Sequence, residues 1–238
     1  MSRIKRYITA LRRYNRSCGF GIHSPFAFYF VRRVLREKCP YYAYEALHQC
    51  RRTAASMVRS RQLKKGILSY KSAKMLFRIT CYFKPATILQ IGTSYGVSAM
   101  SMLCADSRST MVLYPGANTC CDIFDSLTAE CSHRIENTLT LADAAQRYAE
   151  RLGDGAAFIL INSIDSDADA RIALAIATDA IKSGGVVIMR NLNNSEAMKK
   201  MWRDCCSVAT HGMSFSNYRM GVFVGYKHLP RQNYTLWF

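Results

Sequence analysis

The stretch that decides the fold is ILQIGTSYGVS, residues 88–98. Its first four residues predict a buried strand, Gly92 and Gly96 predict a tight turn, and the residues that follow predict the start of a helix. Glycines in such a turn let backbone N–H groups come close to a nucleotide-like molecule, and a helix N-terminus favours polar or anionic groups. The stretch therefore predicts a strand–turn–helix unit that can hold a nucleotide-like cofactor.

Strand and helix patterns alternate along the chain from Ala86 onward. Strands that recur behind helices are typical of βαβ units, so the pattern predicts a parallel sheet covered on both faces. The last two strand-like runs are joined by a short polar turn, which predicts an antiparallel hairpin at the sheet edge. The predicted strands lie at about 87–91, 110–114, 137–141, 157–161, 185–189, 208–216 and 220–226.

The residues before the sheet predict a set of basic helices, at about 3–16, 26–38, 42–65 and 71–83. In the first of them one face is apolar and much of the remainder is Arg and Lys; the apolar face consists of Ile4, Tyr7, Ile8, Leu11 and Tyr14. We therefore divide the chain into a basic helical N-terminal extension or cap, residues 1–84, and a Rossmann-like α/β domain, residues 85–238.

The formal charge of +17 is spread unevenly between these two parts. Residues 1–84 hold 20 Lys and Arg against 2 Asp and Glu, a balance of +18, whereas residues 85–238 hold 13 against 14, a balance of −1. This asymmetry indicates an anionic partner for residues 1–84, either nucleic acid or an anionic membrane surface. Two structural alternatives stay open, because basic residues also form solvated surfaces and apolar stripes also pack on their own domain.

Ten cysteines in a chain of this length do not indicate a disulfide framework. None has C-x-x-C spacing, and the adjacent pairs at 120–121 and 205–206 are a poor arrangement for a zinc site. Reduced, mostly buried thiols are typical of the cytoplasm, where we expect this protein. No apolar run approaches the roughly 20 residues of a transmembrane helix, and no signal-peptide core follows the N-terminus.

Segments outside the glycine turn also match one family. Together with the glycine turn, which follows the first strand of the βα series, these segments make the chain resemble class I S-adenosylmethionine-dependent methyltransferases over nearly its whole length. The likeness is greatest to a bacterial branch, and the related metal-dependent O-methyltransferases share the Ile-Gly-Thr sequence of the turn. The other matching segments are residues 21–26, 41–44, 82–85, 220–223 and 231–238. The resemblance implies a seven-stranded, mostly parallel sheet with an antiparallel C-terminal hairpin, and S-adenosylmethionine as cofactor.

The resemblance also implies which residues hold the cofactor: Gln90, Gly92, Thr93, Ser94, Tyr95, Gly96 and Pro115. Two of these depart from the family's pattern. Gln90 stands where the family usually has an acid that organises the cofactor's ammonium group, and an amide loses the charge-assisted part, about half the strength of such a contact. Pro115 stands where the family prefers an acid that chelates the ribose hydroxyls, and its side chain offers no acceptor.

The candidate catalytic residues are Asn162, Arg190 and Asn191. After the fourth strand the family has Asp-Gly or Asp-Ala where this chain has Asn162, and after the fifth it has Asp-Asp or Asp-Asn where this chain has Arg190-Asn191. A metal-dependent site needs carboxylate and amide oxygens around a hard cation. Replacing two carboxylates by Asn and Arg makes the site about three charges more positive, and each close repulsion costs about 4 kcal/mol. We expect no metal there.

Arg190 has two interpretations. It is either a built-in cation that holds an anionic acceptor where a metal would have been, or a sign that the acids and the chemistry were lost together. Just beyond Asn162, three aspartates predict the N-terminus of a helix, and the first of them, Asp165, is within reach of the pocket.

Three functions remain open on the sequence alone. The first is a methyltransferase-like protein, either active on an oxygen or nitrogen held near Asn162, Arg190 and Asn191 or a pseudoenzyme with impaired or lost catalysis. The second is a non-catalytic binding protein that holds nucleic acid or an anionic membrane through residues 1–84. The third is a structural partner that docks through its N-terminal helices. The methyl acceptor and the oligomeric state, including a homo-oligomer, stay open.

Overall fold

A computed structural model describes residues 14–15, 17–58, 66–116, 121–193, 195–217 and 219–238. The helices are α1 Pro25–Tyr29, continued by a π-helical segment Phe30–Leu35, α2 Ala43–Met57, α3 Tyr70–Phe83, α4 Val97–Leu103, α5 Cys121–Thr128, α6 Leu141–Leu152, α7 Asp167–Ser183 and α8 Glu196–Val208. The strands are β1 Thr87–Ile91, β2 Thr110–Tyr114, β3 Ile135–Asn137, β4 Phe158–Ile161, β5 Val186–Arg190, β6 Met213–Ser216, β7 Met220–Val224 and β8 Gln232–Thr235. Most of the predicted helix over 3–16, and the end of the one over 42–65, lie outside the described residues.

The strands form one sheet in the order β3-β2-β1-β4-β5-β7-β6-β8. Among the described residues, β7 alone runs against the others, because it pairs antiparallel with both β5 and β6. The predicted mostly parallel sheet with a C-terminal hairpin is thus confirmed. An eighth strand, β8, extends it by pairing parallel with β6.

The strand order reverses between β1 and β4. In parallel sheets the loops on either side of such a reversal diverge and leave a crevice at the carboxyl ends of the strands. The turn after β1 and the residues that follow β2, β4 and β5 all lie along this edge. The topology therefore gathers the candidate residues of four separate sequence segments in one place.

Both faces of the sheet are covered by helices. Helices α1 to α5 cover one face, where Phe30 and Leu76 are fully buried in one cluster with Ile88 of β1. Helices α6 to α8 cover the other face with residues such as Ala177. The N-terminal helices therefore share a core with the sheet. None of the helices in the described ranges combines the length and the apolar composition that crossing a bilayer requires.

Two predicted strands have the wrong bounds. The strand over 137–141 is wrong, since β3 ends at Asn137 and α6 begins at Leu141. The run over 208–216 is strand only from Met213, because α8 extends to Val208. In the first case the Thr140 cap starts a helix soon after β3, and in the second α8 continues to Val208 and the chain becomes strand only at Met213.

Thr140 provides the cap of α6, and its loss gives a testable change in stability. The side-chain oxygen of Thr140 accepts a hydrogen bond from the backbone N–H of Asp143, 3.1 Å away. We expect Thr140→Ala to lower the free energy of unfolding by about 1 kcal/mol, because a donor in the first helical turn loses its acceptor. Urea denaturation measures this, with Thr140→Ser as the control that keeps the cap. A loss of similar size in both variants would contradict the capping role.

Candidate active site

The turn after β1 is built from left-handed backbone. Gly92 and Gly96 have φ angles of +80° and +84°, and the non-glycine residues Ser94 and Tyr95 have φ angles of +47° and +56°. A left-handed non-glycine residue costs of order 1 kcal/mol or more and persists only where the surrounding structure imposes it. Two such residues in succession make this the most strained segment of the candidate site, which is typical of functional turns.

Gly92 serves the packing of the sheet edge. A Cβ placed on Gly92 would lie 2.5 Å from Ser163 Oγ and 3.1 Å from the Ser163 backbone N. The absence of a side chain therefore lets the loop after β4 approach the turn after β1. Gly96 makes ordinary contacts, with a Cβ position 3.4 Å from Leu127 Cβ in α5.

Gln90 holds the turn from beneath. Its side chain is fully buried, and Nε2 donates to the carbonyl oxygens of Gly92, at 2.9 Å, and Thr93, at 3.4 Å. A carboxylate at this position has no proton to donate and would face two carbonyl oxygens. The amide is therefore matched to the turn of this chain, while Gln90 Oε1 has no partner within the described part of the structure.

Asn162 links three elements at the carboxyl ends of the strands. Its Nδ2 donates to Gly92 O at 2.8 Å and to Ser98 Oγ at 3.2 Å, and its Oδ1 accepts from Arg190 Nη1 at 2.5 Å. Asn191, with a φ of +58°, donates from Nδ2 to the backbone oxygen of Asn162 at 2.9 Å. The three candidate catalytic residues thus form one hydrogen-bonded group.

Arg190 is a buried cation. Its residue is 7% exposed, and burial lowers the pKa of the guanidinium to about 10, so it stays protonated at neutral pH. No carboxylate of the described residues forms an ion pair with it. A divalent metal placed beside Asn162 would meet this charge, and the described residues contain no cluster of His, Cys, Asp and Glu suited to a metal. The donor set does not fit a metal.

A cavity of about 180 Å³ lies over this group. Its walls include seven of the ten predicted site residues, namely Thr93, Ser94, Tyr95, Pro115, Asn162, Arg190 and Asn191. The other three predicted residues do not line the cavity and belong to the strand and turn beneath it: Gln90, Gly92 and Gly96. Sequence reasoning missed Ser163 and Gly66; Gly66 is brought in by the hydrogen bond that Ser94 Oγ donates to its carbonyl, 3.2 Å away.

Asp165 also lines the cavity, at the end of β2 where Pro115 has no side-chain acceptor. Its Oδ2 lies 2.6 Å from the position that a Cβ on Gly116 would take. Asp167 and Asp169 lie in the first turn of α7, as predicted for this acidic cluster, and Ser166 caps that helix. The loop after β4 thus carries a carboxylate past β1 to the end of β2, where Pro115 provides none.

A second cavity, of about 350 Å³, lies at the neighbouring strands of the same edge. Met220 in its wall pairs with Arg190 across β7 and β5, which places the two cavities on adjacent strands. Its wall is largely apolar, with Lys71 and Arg219 as its cations. Burial, and then neighbouring arginines, lower the pKa of Lys71. Nothing in the sequence pattern had indicated this cavity.

Solved structures resemble this fold, while no family model and no curated protein matches the sequence. A methyltransferase from Podospora anserina, solved with S-adenosylhomocysteine (SAH), has a TM-score of 0.57 and 11% identity over 79% of this chain and 98% of that one. The Streptomyces achromogenes O-methyltransferase of tomaymycin synthesis, in complex with S-adenosylmethionine (SAM), has a TM-score of 0.55 and 15% identity over 91% and 98%. A Bacillus cereus O-methyltransferase in complex with SAH has a TM-score of 0.52 and 20% identity over 82% and 95%. This chain therefore has the fold of the class I SAM-dependent methyltransferases.

Proposed function

We propose that this chain is a methyltransferase-like protein that binds SAM or SAH without a metal and has impaired or lost methyl transfer. The observation that carries the proposal is the hydrogen-bonded pair of Arg190 and Asn162 at the ends of β5 and β4. A guanidinium and an amide stand where the related metal-dependent enzymes are expected to have carboxylates. In this proposal the crevice still binds SAM or SAH, but it does not support metal-assisted methyl transfer.

Three features support binding of the S-adenosyl group. The left-handed turn at residues 92–96 follows β1, as expected for a cofactor-binding turn, and the fold is shared with proteins solved with SAM or SAH. Asp165 provides a carboxylate at the end of β2, where a ribose would lie. The cavity of about 180 Å³ is smaller than the ~300–1,000 Å³ of pockets that enclose a drug-sized ligand. We therefore expect it to hold one end of the ligand and leave the rest outside.

Two features support impaired catalysis. Bound SAM supplies an activated methyl group, but an acceptor hydroxyl must still lose its proton, to a base or with help from a metal. Within the described part of the chain, no histidine lines the cavity, and Arg190 stays protonated at neutral pH. The contribution that the site can still make to methyl transfer is to position an acceptor. Among the described residues of the cavity wall, Asp165 is the one that carries a carboxylate.

Binding of SAH to the whole chain tests the proposal. We expect saturable binding by calorimetry, and stabilisation of about 2.7 kcal/mol when SAH is present at 100 times its dissociation constant. Added Mg²⁺ or Mn²⁺ should change neither value. Asp165→Asn is expected to weaken SAH binding about tenfold, because ribose hydroxyls lose a charged acceptor. The control is Asp167→Asn, on the exposed first turn of α7 and outside the cavity wall.

Each result has a distinct meaning. If SAH at millimolar concentration does not bind, the proposal is overturned. If the two aspartate variants weaken SAH binding equally, Asp165 does not contact the ribose. Methyl transfer that requires a divalent cation contradicts the metal-free interpretation of Arg190.

A basic groove supports a second candidate function, the binding of nucleic acid or an anionic membrane. The groove, of about 400 Å³, is lined by Tyr14, Cys18, Arg32, Arg33, Arg36, Glu37 and Lys38. The guanidinium of Arg36 lies 5.4 Å from the centre of the Tyr14 ring. Absence of SAH binding, together with affinity for RNA or anionic vesicles that falls steeply with salt, favours this second function.

A further inference from the structure

Arg190 differs from the other strongly hydrogen-bonded arginines of this chain. Arg78, which is 8% exposed, donates to the carbonyls of Val34 and Leu35 and to the hydroxyl of Tyr44. Arg134 donates to three backbone carbonyls and to a cysteine sulfur. Arg190, which is as buried as Arg78, donates to one acceptor among the described residues, Asn162 Oδ1. A guanidinium has five N–H donors in a planar fork, so most of its capacity is left for the cavity that it lines.

A buried cation without a counter-ion is costly. Charges removed from water are retained in folded proteins when a partner of opposite charge compensates for the lost hydration. Asp165 shares the cavity wall, yet its carboxylate is not within 4.0 Å of the Arg190 nitrogens. Besides Asp165, the described wall presents uncharged polar side chains, among them the hydroxyl groups of Thr93 and Ser163. These groups donate hydrogen bonds to an anion and do not neutralise the guanidinium themselves.

We propose that the cavity at the ends of β4 and β5 is a binding site for a carboxylate or phosphate group, with Arg190 as its counter-ion. The planar fork of a guanidinium matches the two oxygens of such a group. The small volume suits the acidic end of a molecule. The anion has two sources, the amino-acid carboxylate of the S-adenosyl ligand or the acidic group of a separate small molecule. The first source rests on the function proposed above, and the second does not.

The test compares the wild type with Arg190→Gln, and with Arg203→Gln as a matched control. Arg203 is exposed on α8 and does not line the cavity. Its substitution therefore removes one positive charge, as Arg190→Gln does, but leaves the cavity intact. In buffer free of carboxylate and phosphate, we expect Arg190→Gln to be at least as stable as the wild type, since it removes a buried charge that forms no ion pair with the described residues. Marked destabilisation of Arg190→Gln alone overturns the proposal, because Arg190 would then be a structural residue.

Three probes separate the two sources of the anion: SAH, 5′-methylthioadenosine, which lacks the amino-acid end, and inorganic phosphate at constant ionic strength. If the ligand's own carboxylate binds at Arg190, the Arg190→Gln substitution lowers the affinity for SAH about tenfold or more and leaves the affinity for 5′-methylthioadenosine unchanged. If a separate anion binds, the wild type binds phosphate saturably and the Arg190→Gln variant does not. The affinity for SAH is then the same in both proteins. Insensitivity of all three probes to Arg190→Gln overturns the inference. Phosphate binding that depends on Arg190, without any SAH binding, upholds it while overturning the proposed cofactor.

Discussion

Alanine at position 92 is expected to lower the free energy of unfolding by about 3 kcal/mol. One part comes from the backbone, because a non-glycine residue at a φ of +80° costs about 1–2 kcal/mol. The other part is steric, since the new Cβ would lie 2.5 Å from Ser163 Oγ, and overpacking of this kind costs about 1–3 kcal/mol. Urea denaturation with an unchanged slope measures the sum.

A double-mutant cycle separates the two parts. In a Ser163→Gly background, Gly92→Ala should lose most of its steric cost and keep the cost of its backbone conformation. If alanine costs the same in both backgrounds, the contact with Ser163 is not what requires glycine. SAH affinity of the singly substituted protein then reports whether Gly92 also serves the ligand.

Removal of the Phe30 ring is expected to destabilise the whole protein by about 4 kcal/mol, the usual cost of truncating a buried aromatic residue to alanine. Phe30 is fully buried, and its ring centre lies 5.0 Å from that of Phe215 on β6 and 5.7 Å from that of Phe83 on α3. Phe20, which is 72% exposed, provides the control, and Phe20→Ala should change stability by less than about 0.5 kcal/mol.

The same experiment tests the division of the chain at residues 84 and 85. If the N-terminal helices belong to the cooperative unit, Phe30→Ala shifts a single transition seen alike by fluorescence and circular dichroism. If residues 1–84 fold as a separate cap, two transitions appear and only the first one shifts. In that case the aromatic contacts of Phe30 do not couple the helices to the sheet.

Much of the fold could be predicted because its signals are local. Strands β1 and β2 were predicted at their observed bounds, since a parallel strand that is buried along most of its length is a short apolar run between turn residues. Strand β8 was missed because its burial alternates over only four residues. The strand predicted over 137–141 failed because the Thr140 cap starts a helix within that segment, where Leu139 and Leu141 alternate with threonines as they would in a strand.

The sequence indicated that the candidate site residues would lie near one another at one edge of the sheet, but not how they contact one another. Seven of the ten predicted residues line one cavity because the carboxyl ends of parallel strands meet at one edge of the sheet. The sequence could not indicate that Gln90 donates to the turn, that Ser163 lies over Gly92, or that Arg190 bonds to Asn162. The last two pairs are 71 and 28 residues apart along the chain, and strand order and register alone bring them together.

The resemblance to the family marked Gln90, Pro115, Asn162 and Arg190 as positions without the expected acids, whereas local patterns determined the α/β class and the glycine turn after the first strand. These properties follow from residue type and spacing, which are readable along a single segment. Only the tertiary structure decided that Asp165 lies at the end of β2 and that Arg190 is buried without a paired carboxylate in the described part of the chain. Burial and charge pairing are properties of atoms that meet across the sheet, and their free energies depend on distances that the order of residues does not contain.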